Sequence, residues 1–142
     1  MEEVKIYADC EHLQFPCTTE LFSRSRPDAA VRVGNKLYVL ELTVCFDTNT
    51  KKSREYKMTR YKNLKDDLLI NCDEFEIIYI EFTTLGFISK ESFKQFSKLL
   101  KALGIYQDRT IIKCMETAIR ATYYVFCRRN KSWPNPELLN FY

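Results

Sequence analysis

Two acidic residues, Asp28 and Glu41, stand thirteen positions apart on either side of a predicted tight turn at Gly34 and Asn35. Asp28 follows Pro27 at the start of an apolar segment, and Glu41 lies inside the apolar run "LYVLELTVCF". The turn would fold these segments into a β-hairpin and bring both carboxylates to one point. Acids are costly among apolar neighbours unless a cation neutralises them, so the pair predicts a divalent cation site.

A metal ion that acts on a phosphodiester requires oxygen ligands, usually carboxylates, a backbone carbonyl and waters. The backbone carbonyl of Leu42 would lie beside the two acids. Lys57 is predicted on the next helix, and a lysine on a buried helix face needs an acid or a reacting water as its partner. Its helix stripe consists of Lys57, Tyr61, Leu64 and Leu68.

Each of these residues also has a purely structural interpretation. Asp28 could shape the entry into its strand, and Glu41 could pair with a lysine at a sheet edge. The ammonium of Lys57 could extend to solvent. The convergence of all three on one edge of one sheet favours the site.

Basic residues cluster around this segment. The net charge of the chain is only +3, from 22 Lys and Arg against 19 Asp and Glu, so a nucleic-acid interface depends on local clustering. Such a cluster can contact phosphates, although a basic helix face is often simply solvated. The predicted phosphate-contacting residues are Arg26, Lys51, Lys52, Arg54, Arg60 and Lys62.

The elements around these residues alternate between strands and helices. A strand "VKIYA" precedes the hairpin, a helix follows between 47 and 71, and then come the strand "FEIIYIEFTT" and two further helices. This order predicts an α/β fold in which helices cover a small mixed sheet. The last helix is predicted to bury one stripe, formed by Ile111, Met115, Ala118, Thr122 and Val125.

Composition indicates a globular chain that forms one domain over residues 1–142. Hydrophobic residues make up 46% of the chain, and 142 residues suffice to bury a core. No apolar stretch is long enough to span a membrane, and the start "MEEVKIYADC" lacks a signal-peptide pattern. We therefore expect an intracellular protein without membrane association.

The ordered motifs resemble one nuclease family. "RPD", then "LYVLELTV", then Lys57 four positions before Tyr61 resemble the PD-(D/E)XK superfamily, and more closely the restriction-like endonuclease domain of site-specific non-LTR retrotransposons. The segments "FTTLGFISKESFKQFSKLLKALGI" and "AIRATYYVFCRRNKSW" extend the similarity. It covers residues 26–133, the expected core of the domain.

The resemblance implies a restriction-endonuclease-like fold and a Mg²⁺-dependent DNA endonuclease that nicks DNA, with Mn²⁺ as a substitute. Asp28, Glu41 and Lys57 would be catalytic, and the two acids and the Leu42 carbonyl would hold the metal. DNA would be the partner, together with the reverse transcriptase and other transposon domains, and a eukaryotic transposon origin would imply a nuclear location.

One departure from the superfamily leaves alternatives open. Thr43 occupies the position at which most members carry the catalytic lysine, although the transposon branch places that lysine on the following helix. The chain could instead be an inactive module that binds DNA or protein, or a junction-resolving or repair nuclease. Such nucleases are commonly homodimers, and Trp133, Phe141 and Tyr142 would either form an interface or fold back onto the core.

Overall fold

A computed structural model describes residues 2–10 and 12–128. Over these residues the chain adopts an α/β fold with a four-stranded mixed sheet and three α-helices, as the element order predicts. The strands are β1 (Val4–Ala8), β2 (Ala29–Val33), β3 (Lys36–Cys45) and β4 (Glu74–Thr83), in the order β1-β2-β3-β4. The α-helices are α1 (Thr50–Arg60), α2 (Lys90–Ala102) and α3 (Gln107–Arg128).

The predicted hairpin joins β2 and β3 in antiparallel register. Ala29 pairs with Leu40, and Val33 pairs with Lys36 across a turn in which Gly34 has a φ of 55°. A positive φ of this kind is readily adopted by glycine, which explains the turn residue. Because one register runs through the whole hairpin, its extension by one position places Asp28 opposite Glu41.

The chain divides into two compact units, and the first consists of Met1–Leu42 and Arg54–Ile80. The core of this unit contains side chains from both strands of the hairpin. It also contains Tyr61, which follows α1, and Leu64, the first residue of the short 3₁₀ helix Leu64–Asp67. β3 lies between β2 and β4 in the sheet and is buried on both faces over residues 37–39, which is typical of a central strand. The buried side chains of this core are Tyr7, Leu21, Phe22, Ala30, Leu37, Val39, Tyr61 and Leu64.

The second unit consists of Thr43–Ser53 and Glu81–Tyr142. Ser89 caps α2, because its hydroxyl accepts a hydrogen bond from the backbone N–H of Ser92. The side chain of Ser92 in turn donates to the buried carboxylate of Glu81 at the end of β4. α2 ends just before Gly104, whose positive φ of 69° is readily adopted by glycine at the end of a helix.

Two details of the predicted helices are wrong. α1 ends at Arg60 rather than near Asn71, and Leu64 lies in the separate 3₁₀ helix. The stripe still predicts burial correctly for Tyr61 and Leu64, since the chain continues along the core after the α-helix stops. In α3 the predicted stripe fails at Val125, which is 67% exposed, because the buried residue of the last turns is Cys127.

In the part of the chain that the structure describes, no helix is long and apolar enough to cross a membrane. The contacts expected of Trp133, Phe141 and Tyr142 lie outside the described residues. Residues 129–133, the last part of the segment that resembles the nuclease family, lie outside the described residues as well.

A candidate metal-binding site on the hairpin

The hairpin holds the two acids in place through reciprocal hydrogen bonds. The backbone N–H of Asp28 donates to Oε1 of Glu41 at 3.3 Å, and the backbone N–H of Leu42 donates to Oδ2 of Asp28 at 2.8 Å. Each carboxylate is therefore oriented by the backbone of the opposite strand. A bond from a backbone N–H to a carboxylate also stabilises the ionised form of the acid.

Lys57 meets both acids from α1. Its Nζ lies 2.7 Å from Oε2 of Glu41, 3.1 Å from the carbonyl oxygen of Leu42 and 3.5 Å from Oδ2 of Asp28. The side chain of Glu41 is 1% exposed, that of Lys57 19% and that of Asp28 46%. The cluster therefore has one deeply buried acid and one acid that solvent or a ligand can reach.

Burial governs the electrostatics of this cluster. Loss of hydration raises the pKa of Glu41, although the hydrogen bond from Lys57 opposes the rise. Burial also lowers the pKa of Lys57, but the bond and the charge of Glu41 outweigh this effect and raise the pKa above its usual value. Lys57 is consequently an ammonium, and Glu41 depends on that ammonium to stay ionised.

Two tyrosines border the buried acid. Burial raises the pKa of the Tyr61 hydroxyl, and the negative charge of Glu41 raises it further. The same two causes raise the pKa of Tyr79 on β4. Both tyrosines are therefore neutral at physiological pH and add no charge beside Glu41. Tyr61 belongs to the predicted stripe and to the motif that begins at Lys57, whereas no pattern in the sequence marked Tyr79.

The three oxygen donors suit a hard divalent cation. Mg²⁺ prefers oxygen ligands, retains several waters and is commonly bound by one or two carboxylates together with a substrate phosphate. Two carboxylates and one carbonyl around a single positive charge fit that preference. Among the described residues, no group of three or more His, Cys, Asp or Glu could hold a metal. The third oxygen within 3.5 Å of Lys57 Nζ is the backbone carbonyl of Leu42.

The predicted phosphate-contacting residues are distributed over both units. In the first unit, three of these residues are exposed, namely Arg26, Arg60 and Lys62. Arg54 is half-buried, and its guanidinium carbon Cζ lies 5.8 Å from the centre of the Tyr79 ring. Lys51 and Lys52 belong to the second unit, where they are exposed in the first turn of α1. Arg54 is thus partly engaged by protein, and the other five are accessible to an anionic partner.

Asp67 is a functional candidate that sequence analysis missed. Its carboxylate accepts hydrogen bonds from the Ser23 hydroxyl and from the backbone N–H groups of Arg24 and Ser25, at 2.9 and 2.6 Å for the backbone groups. These bonds keep the pKa of Asp67 well below its usual value. They anchor the segment that leads into Asp28. No local pattern marks Asp67, because its partners lie more than forty positions earlier in the chain.

The chain matches no protein-family model, and no curated protein is similar to it in sequence at a significant level.

Proposed function

We propose that the chain is a divalent-metal-dependent DNA endonuclease with a restriction-endonuclease-like core, similar to the target-nicking domain of non-LTR retrotransposons. The observation that carries the proposal is the position of Lys57 Nζ, within 3.5 Å of oxygens from Asp28, Glu41 and Leu42. An amine and two acids that share one point are the groups that metal-assisted phosphodiester hydrolysis needs.

The reaction is the addition of water to a phosphodiester. A new bond forms between the water oxygen and phosphorus, one P–O ester bond breaks, and the leaving oxygen takes up a proton while the water loses one. A bound divalent cation supplies Lewis-acid stabilisation of the charge that builds up on the phosphate oxygens.

The residues of the chain have separable roles in this reaction. Glu41 and Asp28 hold the cation, and the exposure of Asp28 leaves that side of the cluster open to substrate. Lys57 orients the attacking water or offsets charge on the pentavalent phosphorus. Arg26, Arg60 and Lys62 contact the DNA backbone, a role that does not depend on base sequence.

A nicking assay on supercoiled plasmid tests this proposal. With Mg²⁺ or Mn²⁺, the wild-type chain should convert plasmid to the nicked form, and Asp28→Asn and Glu41→Gln should lower the rate at least about a hundredfold. Several kcal/mol of transition-state stabilisation depend on the cation, and about 1.4 kcal/mol corresponds to a factor of ten. Asp66→Asn and Glu55→Gln are the matched controls, since both acids are exposed and lie outside the cluster.

A second candidate function is DNA binding without cleavage. The close contact between Lys57 and the buried Glu41 favours it, because such a pair also serves as a purely structural ion pair. In that case the wild type should slow the migration of plasmid in a gel-shift assay and leave the plasmid intact with either metal. The Asp28→Asn variant should bind the plasmid as well as the wild type does.

A further inference from the structure

Lys57 occupies the position that a cation would need. Its ammonium contacts one oxygen of each acid and the Leu42 carbonyl, which are the three oxygens assigned above as metal ligands. An ammonium and a divalent ion cannot both lie at the centre of the same three oxygens. A cation at this site must therefore take at least some of these oxygens from Lys57.

The net charge of the cluster changes when a divalent cation binds. In the structure, two carboxylates and one ammonium leave one net negative charge. A divalent cation on the carboxylates would change that value to one positive charge if Lys57 stayed near by. A phosphodiester carries one negative charge, so its arrival would bring the cluster to neutrality.

We infer that Lys57 is an internal counter-ion that a divalent metal displaces from Asp28, Glu41 and Leu42. This inference rests on the proposed metal site. It adds that the amine holds the acids together before the metal binds, and that metal affinity is set by competition with the amine of the chain itself.

The reach of the side chain allows the exchange. Lys57 lies on α1, four positions before the buried Tyr61, and its side chain is 19% exposed, so the ammonium is close to solvent. A lysine carries its charge on a flexible four-carbon stem, which can move the nitrogen without movement of the helix. Glu41, in contrast, is buried and held by the N–H of Asp28, so Glu41 stays in place while the amine moves.

Two measurements together test the inference. Titration calorimetry with Mn²⁺ should show binding at least about tenfold tighter for Lys57→Met than for the wild type, since a competing positive charge has been removed. Lys98→Met is the matched control, because it removes an exposed lysine on α2, and its affinity should stay within about twofold of the wild type.

The second measurement follows Lys57 itself in the wild-type chain and does not require a variant to fold. With ¹³C-labelled lysine, the Cε methylene signal of Lys57 should shift on addition of Mg²⁺ and saturate together with metal binding. A Lys57 signal that stays constant at saturating Mg²⁺ overturns the inference, even if Lys57→Met binds more tightly, because repulsion without displacement would explain that result. Equal or weaker Mn²⁺ binding by Lys57→Met also overturns it.

The outcomes separate this inference from the proposed nuclease function. Plasmid nicking by the wild type with no metal-dependent change at Lys57 rejects displacement and leaves the nuclease intact. Displacement by Mg²⁺ without nicking supports the exchange and rejects the nuclease. A chain that binds neither Mg²⁺ nor Mn²⁺ rejects both.

Discussion

Replacement of Lys57 by methionine should destabilise the fold in a way that depends on pH. The change keeps most of the apolar stem and removes the ammonium that lies 2.7 Å from Glu41. With that partner gone, burial raises the pKa of Glu41 further, so the acid must either remain charged in an apolar site or take up a proton.

The cost of protonation limits the size of the effect. At about pH 7.5 the solution lies about three units above the usual value of 4.5 for this carboxyl, and each unit corresponds to about 1.36 kcal/mol, which gives a ceiling of about 4 kcal/mol. Removal of one partner from a buried pair costs about 3–5 kcal/mol, and the partial exposure of Lys57 reduces that value. We expect a loss of about 3 kcal/mol at this pH.

The sign of the pH dependence follows from the raised pKa of Glu41. A group whose pKa is higher in the folded state contributes no penalty below its unfolded pKa, and its penalty grows as pH rises toward the folded pKa. The difference between wild type and Lys57→Met should therefore be below about 1 kcal/mol at pH 5 and should increase toward pH 7.5. Glu41→Gln in the same chain should remove the pH dependence, because glutamine does not titrate.

Urea denaturation followed by circular dichroism at several pH values measures these differences. The variants are Lys57→Met, Lys57→Met with Glu41→Gln, and the control Lys98→Met. A loss of stability that is constant across pH, or larger at pH 5, would refute the reasoning, since it would show that a group other than the buried carboxylate is responsible.

Two further predictions concern other parts of the chain. Asp67→Asn should lower the melting temperature at neutral pH, and its difference from wild type should shrink as pH falls. The reason is that the lowered pKa of Asp67 gives stability that is present above pH 3.8 and is lost on acidification. In thermal melts at the same pH values, the control Asp66→Asn should leave stability unchanged, and a difference for Asp67→Asn that persists in acid would contradict the assignment. Gly86→Ala should cost at least about 1 kcal/mol more stability than Gly104→Ala in chemical denaturation. Both glycines have positive φ, but a Cβ added at Gly86 would press against Ile119 and lie 3.0 Å from the Met115 carbonyl oxygen, whereas a Cβ at Gly104 would have no atom within 4 Å. Equal losses for the two variants would show that only backbone strain matters.

The hairpin and α2 could be predicted from sequence because each is bounded by residues that give a local signal. Gly34 marks the hairpin turn, and Ser89 and Gly104 bound α2. The end of α1 at Arg60 carries no glycine or proline, and the apolar spacing continues through Tyr61 and Leu64. The same spacing therefore fits both one long helix and a helix followed by a 3₁₀ turn.

The candidate site could be foreseen only in part. Alternation and the turn suffice to place Asp28 opposite Glu41, since a hairpin has one register. The reach of Lys57 depends on where α1 packs, and the anchoring by Asp67 depends on contacts between distant segments. Neither can be read from spacing, because each is set by tertiary packing.

The reciprocal bonds between Asp28 and the Glu41–Leu42 segment restrict how this hairpin can change in length. A single-residue insertion in either strand would turn every side chain beyond it to the other face, and the two acids would no longer meet. Two residues added to each strand would keep the side chains on the same face of the sheet and would keep the two acids opposite each other. Descendants of this chain should therefore vary the separation of the two acids in matched steps, and libraries that randomise the hairpin tip should retain paired lengths among their functional members.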